Sequence, residues 1–495
     1  VLSVSSVLKD VAPSKDALKF DVLYIGKALM SEFRPWWFEQ ALIKENPQPA
    51  APLKQDLQAD VCIVGGGYTG LWTAISLKMA KPELSVVIIE KDLCGSGASG
   101  RNGGCLLTLA TKFLTLKRLF GEAEALRIVK ASEDAVYQIT QFCRDHQIDA
   151  EVRVDGTLYT ATNAAQLGSM DGVMDELARH QASTWVGLPE HEVKLMAGSD
   201  LHIAGAFSPV GGSVQPGLLV RGLARVARAM GVQIFEATPM ERLIESAKPV
   251  VVTAHGRISA GSVVLALNAS MATMFPALSR SIAVVSSDMI ITEPCPDLLQ
   301  RTGLTRGVAV CDSRIFVNYY RSTADGRLML GKGGNTFAYG NRMLAAFDQP
   351  SAYQQSLTDT LRRFFPALQD VAIAASWNGP SDRSVTGIPF FGVLNQHPRI
   401  FYGFGYSGNG VGPTYLGGQI LSSLVLNADN EWTRSPLVTG PRGFFPPEPI
   451  RWLGANMVRN AIRRKENAED KGAQPWLLDC KLAGFAAAAG KSDKA

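Results

Sequence analysis

Apolar positions change their period along this chain. Val61, Cys62, Ile63 and Val64 form an unbroken apolar run, and residues 85–89 form a second strand-like segment, apolar from Val86. Runs of this kind predict strands covered on both faces. Between them, Leu71, Ala74, Ile75 and Leu77 recur at helical spacing, so the segment predicts strand, helix, strand. A helical stretch without proline follows over about 111–148, and residues 151–160 predict a hairpin around Asp155-Gly156. Helices are expected near 163–181 and over 217–230, the second closed by Gly231 ahead of a strand at 232–236. A β-rich patch spans about 249–269, and its last strand runs into a small-residue turn at 262–270. Strands are expected again at 281–292, 314–321 and 327–332, with a helix at about 351–364. Over 401–421 a strand passes through a glycine-rich turn into an apolar helix. No internal repeat is visible.

Composition narrows the class. At 495 residues, 46% hydrophobic and 19% charged, the chain is globular and too long for one small core. A net charge of +4, spread along the chain, excludes a nucleic-acid footprint. The seven cysteines show no CxxC pair and no clustering with histidine, so no metal centre is expected and a reducing, cytoplasmic setting is. There is no run of 18 apolar residues, hence no expected transmembrane helix, and the first residues lack the apolar core of a signal peptide. The six histidines fall in no catalytic pattern and read as surface or structural residues. Residues 1–55 form an N-terminal extension. Its aromatic cluster at 33–38 reads as an anchor or, alternatively, as a lid or partner surface. The tail, 431–495, carries a basic stretch at 451–464 that reads as a solvated helix face or as a docking surface for an acidic partner or membrane.

The chemistry concentrates in residues 60–104. Gly65, Gly67 and Gly70 stand in a GxGxxG arrangement after the first strand, with Tyr68 and Thr69 between them opening the helix. Gly65 suits a tight turn, Gly67 removes a Cβ that would block a pyrophosphate, and Gly70 lets helix and sheet approach closely. The helix N-terminus offers amides and a positive dipole end to phosphates. Glu90, followed by Lys91, ends the second strand and suits the hydroxyls of an unphosphorylated ribose. The cofactor is therefore a dinucleotide. The partner segments at 262–270 and 401–421 lie far downstream, across a strand-rich stretch. That separation favours FAD over a nicotinamide cofactor.

These features resemble the D-amino-acid-oxidase superfamily of FAD-dependent amine oxidoreductases, within it the gamma-glutamylputrescine-oxidase-like branch. The resemblance is carried by VGGGYTGLWTAISL, GASGRNGG at 97–104, GSVQPGLLVRGLARVARAMGVQIFE at 212–236, VVLALNA at 263–269, WNGPSDRSVTGIPFFG at 377–392 and GYSGNGVGPTYLGGQI at 405–420. Together they span about residues 60–425. The resemblance implies an α/β fold (α+β overall): a Rossmann-like FAD-binding domain assembled from 56–150, 200–275 and 370–430, and a substrate domain with a large antiparallel sheet from 151–199 and 276–369. It implies that Ala98, Ser99, Gly100, Arg101, Asn102, Gly103 and Gly104 run along the FAD, that Met240 meets the adenine, and that Gly379 together with Gly408, Asn409, Gly410 and Val411 faces the flavin.

The implied reaction is oxidation of a small amine or amino acid by hydride transfer from the neutral amine, with no dedicated base and with dioxygen as acceptor. A dehydrogenase of the same fold, serving a quinone or electron-transfer protein, is the alternative; a non-catalytic flavin-binding protein is a third reading. Tyr319 and Arg321 share one face of their strand, and the resemblance directs that pair towards substrate. Lys332 stands where many relatives have glycine, and could act near the flavin or on an anionic substrate. Relatives that attach flavin covalently use a cysteine in the final segment. Residues 371–392 contain none, so the FAD is expected to be non-covalent.

Overall fold

Strands apolar at every position need cover on both faces, and the first sheet supplies it. In the computed structural model, which describes residues 33–46, 50–486 and 493, Leu57–Val64 lies parallel to both Val86–Ile89 and Gly256–Leu265. Gln233–Phe235 and Ile400–Phe404 extend the parallel array on either side, and Phe390–Val393 closes one edge antiparallel. The helix Tyr68–Ala80 is buried along its first ten residues because the helix Pro413–Val425 covers it. Gly418 permits that contact, since a Cβ there would lie 2.5 Å from Trp72 Cβ. The two glycine-rich turns, some 330 positions apart in the chain, thus come to the same end of one sheet.

The second sheet is mostly antiparallel and has eight strands, in the order 373–384, 282–292, 328–337, 318–322, 309–312, 157–161, 204–208 and 186–188. Two of its strands correct the expected partition. Ala204–Ser208 and Ile373–Ser384 were expected with the nucleotide-binding segments, yet Ile373–Ser384 pairs along its length with Ile282–Thr292, and Ala204–Ser208 pairs with Thr157–Ala161. Burial pattern alone does not say which sheet a strand joins.

Residues 151–160 are not a hairpin. Thr157–Ala161 pairs with distant strands on both sides, while Asp155 accepts a hydrogen bond from Gly307 N at 2.7 Å. The helical stretch over 111–148 is broken at Gly121, whose φ is +82°, into Phe113–Phe120 and Glu122–Asp145. The helix near 163–181 is confined to Asp171–Arg179. The strand expected from 314 begins at Asn318, because Asp312 Oδ1 draws the amides of Arg314 and Asn318 into a turn.

Residues 1–32 lie outside the described residues. The aromatic cluster that follows is an anchor. Trp37 and Phe38 are buried, Trp37 meets Trp377 edge-on at 5.7 Å, and the Arg321 guanidinium lies 4.7 Å from the Trp37 ring centre. The basic stretch forms most of the helix Ile450–Asp470, which packs on the second sheet rather than standing free. Arg451 pairs with Glu448, Arg464 pairs with Asp479, and Arg459 and Arg463 donate to the backbone and side chain of Asn335. Among the described residues no helix is long and apolar enough to cross a membrane.

Candidate active site

A cavity of about 290 Å³ runs from the glycine-rich turn of the first sheet to the inner face of the second. At its first end Gly65 adopts φ +113°, and a Cβ there would lie 2.5 Å from Ala266 O. A Cβ on Gly70 would lie 2.0 Å from Gly65 O. The turn therefore closes only with glycine at these positions. Tyr68 N donates to Ser99 Oγ at 2.9 Å, joining the GASGRNGG loop to the helix N-terminus. The Thr69 and Gly70 amides, in the first turn, have no intrahelical acceptor.

Glu90 accepts from Gly66 N at 2.8 Å and Asp92 N at 3.2 Å. Burial raises its carboxyl above the usual range, against the pull of those amides. Lys91, Thr238 and Met240 line the same end.

The middle of the cavity is walled by Ala98, Ser99, Arg101, Asn102 and Gly103. Here side chains brace the loop itself. Arg101 donates to Ser96 O (2.7 Å), Phe347 O (2.6 Å) and Asp348 (2.6 Å). Asn102 donates to Ala98 O and Ser99 O and accepts from Gly104 N. Gly100 and Gly104 are behind the wall, where added Cβ atoms would meet Gly95 O at 2.5 Å and Val214 O at 2.1 Å. Asn409 is likewise behind it, donating to Thr108 O at 3.0 Å, whereas Gly408, Gly410 and Val411 line the cavity.

At the far end the Tyr319 ring is slotted between two glycines. A Cβ on Gly331 would lie 2.3 Å from its Cζ, and one on Gly103 would lie 2.5 Å from its Cε2. Its hydroxyl is 2.9 Å from Ser287 Oγ, and burial raises its pKa. Met289, Gly379 and Ser381 complete this wall. Asp382 accepts from the amides of Gly405 (2.5 Å), Tyr406 (3.2 Å) and Ser407 (3.2 Å), fixing the turn that leads to Gly408. Burial pushes its carboxyl up to about 6 even so. Ser287, Met289 and Asp382 escaped the sequence reading; the signal for Asp382 is an acid inside a strand otherwise covered on both faces.

Arg321 and Lys332 do not line the cavity. The shared face of Tyr319 and Arg321 is confirmed, since both sit against the Gly103-Gly104 pair. Arg321, however, is 2% exposed and donates to Gly103 O at 2.7 Å and Val214 O at 2.7 Å. Its guanidinium is consumed in holding the loop. Lys332 lies on the opposite side of the second sheet's core, donating to Phe316 O at 3.0 Å and Asn318 Oδ1 at 3.2 Å beneath the tail helix. None of the six histidines lines the cavity. His202 is buried between Thr160 and Tyr320, which pulls its pKa down to about 4.

The residues present fit FAD. Glycines stand where a Cβ would close the turn, first-turn amides face the cavity, a half-buried acid follows the second strand, and a long channel continues to a second, differently lined end. A family profile described as DAO, FAD dependent oxidoreductase, matches residues 60–424. Gamma-glutamylputrescine oxidoreductase of Escherichia coli K12 is 30% identical over 379 residues, 76% of this chain and 86% of that protein. Glycine oxidase of Geobacillus kaustophilus is 25% identical over 391 residues, 76% of this chain and 95% of that protein. The crystal structure of glycine oxidase from Geobacillus kaustophilus shares the fold at a TM-score of 0.65 and 22% identity, covering 78% of this chain and 100% of that one. L-proline dehydrogenase from P. horikoshii does so at 0.63 and 18%, covering 77% and 96%. The glycine cradle, the split nucleotide sheet and these matches agree: the chain belongs to the DAO family of FAD-dependent oxidoreductases.

Proposed function

We propose that this enzyme oxidises the C–N bond of a small primary or secondary amine or amino acid to an imine, which water hydrolyses to a carbonyl compound and ammonia or an amine. Bound FAD supplies the two-electron acceptor. The observation that carries the reading is the lining of the far end of the cavity. Tyr319, Ser287 and Met289 line the same cavity as Gly408, Gly410 and Val411, and no histidine lines it. The acid nearest this end, Asp382, is occupied by three backbone amides. Such a wall orients a neutral amine and excludes water without offering a base, which suits departure of hydride from the α-carbon. The matched relatives include a gamma-glutamylputrescine oxidoreductase and a glycine oxidase, both named for nitrogen compounds.

Dioxygen is the proposed acceptor, reduced to hydrogen peroxide. An electron-carrying partner is the alternative; the basic tail stretch is the surface that would favour it, and its arginines pair with Glu448, Asp479 and Asn335 of this chain. The FAD is proposed to be non-covalent. One cysteine, Cys105, does line the cavity, but outside the 371–392 segment. Anaerobic mixing with a panel of amines tests the function: the proposal requires at least one to bleach the flavin, and air to restore the colour within seconds. Bleaching that air leaves unchanged would assign an electron-carrying partner instead. Yellow colour retained in acid-precipitated protein would overturn non-covalent attachment.

A further inference from the structure

Asp493 is 7% exposed and lies far in sequence from everything it touches. Its amide donates to Thr111 O at 2.7 Å. Its carboxylate accepts from Thr115 N and Thr115 Oγ1, both at 2.7 Å, and stands 3.5 Å from Lys112 Nζ. Lys112 is 3% exposed, so this ammonium is desolvated and needs an anion beside it. A second buried cation stands near. Lys112 feels the charge of Arg383, and burial lowers the pKa of both.

The recess adjoins the catalytic end of the cavity. Arg383 Nη2 is 3.8 Å from where a Cβ on Gly408 would lie and 3.1 Å from where one on Gly333 would. Gly408 lines the cavity. Asn409 ties the same turn to Thr108 O, at the start of the segment that carries Thr111 and Lys112. The Lys112 ammonium and the hydroxyl–amide pair of Thr115 form a receptor for a carboxylate, with Arg383 as a second desolvated cation near Lys112. The group now filling it belongs to a single acidic residue more than 370 positions away in sequence.

We propose that Lys112, Thr115 and Arg383 form a carboxylate subsite beside the amine-oxidising end of the cavity, and that Asp493 occupies it as an intramolecular competitor of a carboxylate-bearing substrate. That the incoming carboxylate belongs to the amine substrate rests on the function proposed above; the anion site does not. An intramolecular carboxylate competes at an effective concentration of about a millimolar or more, which weakens the apparent affinity for a free one.

The test is calorimetric titration of the FAD-loaded enzyme with glutarate, and with uncharged glutaramide as control. Asp493→Ala is expected to bind glutarate at least about tenfold more tightly than the wild type, with glutaramide unchanged. Adding Lys112→Met to Asp493→Ala is expected to abolish that gain. Glutarate binding unaltered by Asp493→Ala, or a gain that survives loss of Lys112, would overturn the subsite. Because no turnover is measured, failure to find an oxidisable amine leaves this result independent. Should Lys112→Met not fold, Thr115→Val on the Asp493→Ala background replaces it, with the same loss expected.

Discussion

Tyr319 and Arg321 leave one strand on one face, two residues apart, and end in different surroundings. The Tyr319 hydroxyl reaches the cavity wall beside Ser287, whereas the Arg321 guanidinium is bonded to backbone carbonyls of the loop that walls it. Their substitutions should therefore separate. Tyr319→Phe is expected to lower kcat/KM for the amine by about tenfold, the effect of one lost hydrogen bond of about 1.4 kcal/mol, with flavin content intact. Arg321→Gln is expected instead to lower the flavin-to-protein ratio, since Gly103 O and Val214 O lose their donors. Flavin absorbance against protein concentration, with steady-state kinetics, reads both effects; an Arg321→Gln enzyme with full flavin and a raised KM would restore the substrate role.

Asp382 gives a residue-scale prediction in pH. Its folded pKa, about 6, lies above the ordinary 3.8, so the folded protein binds more protons between those values. Its contribution to stability is present below about 4 and is lost as pH rises through about 6. The shift corresponds to about 3 kcal/mol. In urea unfolding, the stability of the wild type relative to Asp382→Asn should fall by about 2 kcal/mol of that from pH 4 to pH 6.5. A pH-independent difference would mean that the amides of 405–407 offset the burial completely. These roles were only half legible in sequence. Alternation put Tyr319 and Arg321 on one face, but the partners that divide them, Gly103 O for Arg321 and Ser287 for Tyr319, come from 218 and 32 positions away, and no local pattern carries that pairing.

At the scale of elements, short-range chemistry was legible and long-range assembly was not. The strand–turn–helix–strand over 57–90 declared itself because its glycines, apolar runs and terminal acid are all local. The membership of Ile373–Ser384 in the second sheet was not readable, because its burial on both faces suits either sheet. The tail helix Ile450–Asp470 shows the same limit. Its charge reads as a surface property, yet its acids and arginines meet buried partners in the sheet below. Arg314 is the joint: it donates to Asp312 at 3.0 Å and to Asp470, on the helix, at 2.6 Å. Arg314→Met leaves two partly or fully buried carboxylates short of a cation. The expected loss is about 3 kcal/mol, at the lower end for a broken buried pair, because Asn318 and Arg363 still serve those acids. Urea unfolding measures the loss, and limited proteolysis should show the helix released before the body of the protein. A variant as stable as the wild type would make the helix an appendage.

For the whole molecule, the decisive fact is that the cavity belongs to neither sheet alone. Gly65, Glu90 and Met240 come from one end of the first sheet, while Ser287, Met289 and Tyr319 come from the inner face of the second. FAD spanning this channel links the two, and its removal should lower stability in proportion to ligand binding: about 4 kcal/mol at a thousandfold excess over Kd. A fragment distinguishes linkage from simple filling. ADP reaches only the acid- and glycine-lined end, so in hydrogen exchange of apoprotein it should protect amides near 63–70 and 89–91 and leave 287–289 and 318–320 as they are without ligand. FAD should protect both sets. If ADP protects the second set equally, the sheets are coupled through protein contacts alone. If FAD protects only the first, the flavin does not reach Tyr319, and the far end of the cavity is not where the amine is oxidised.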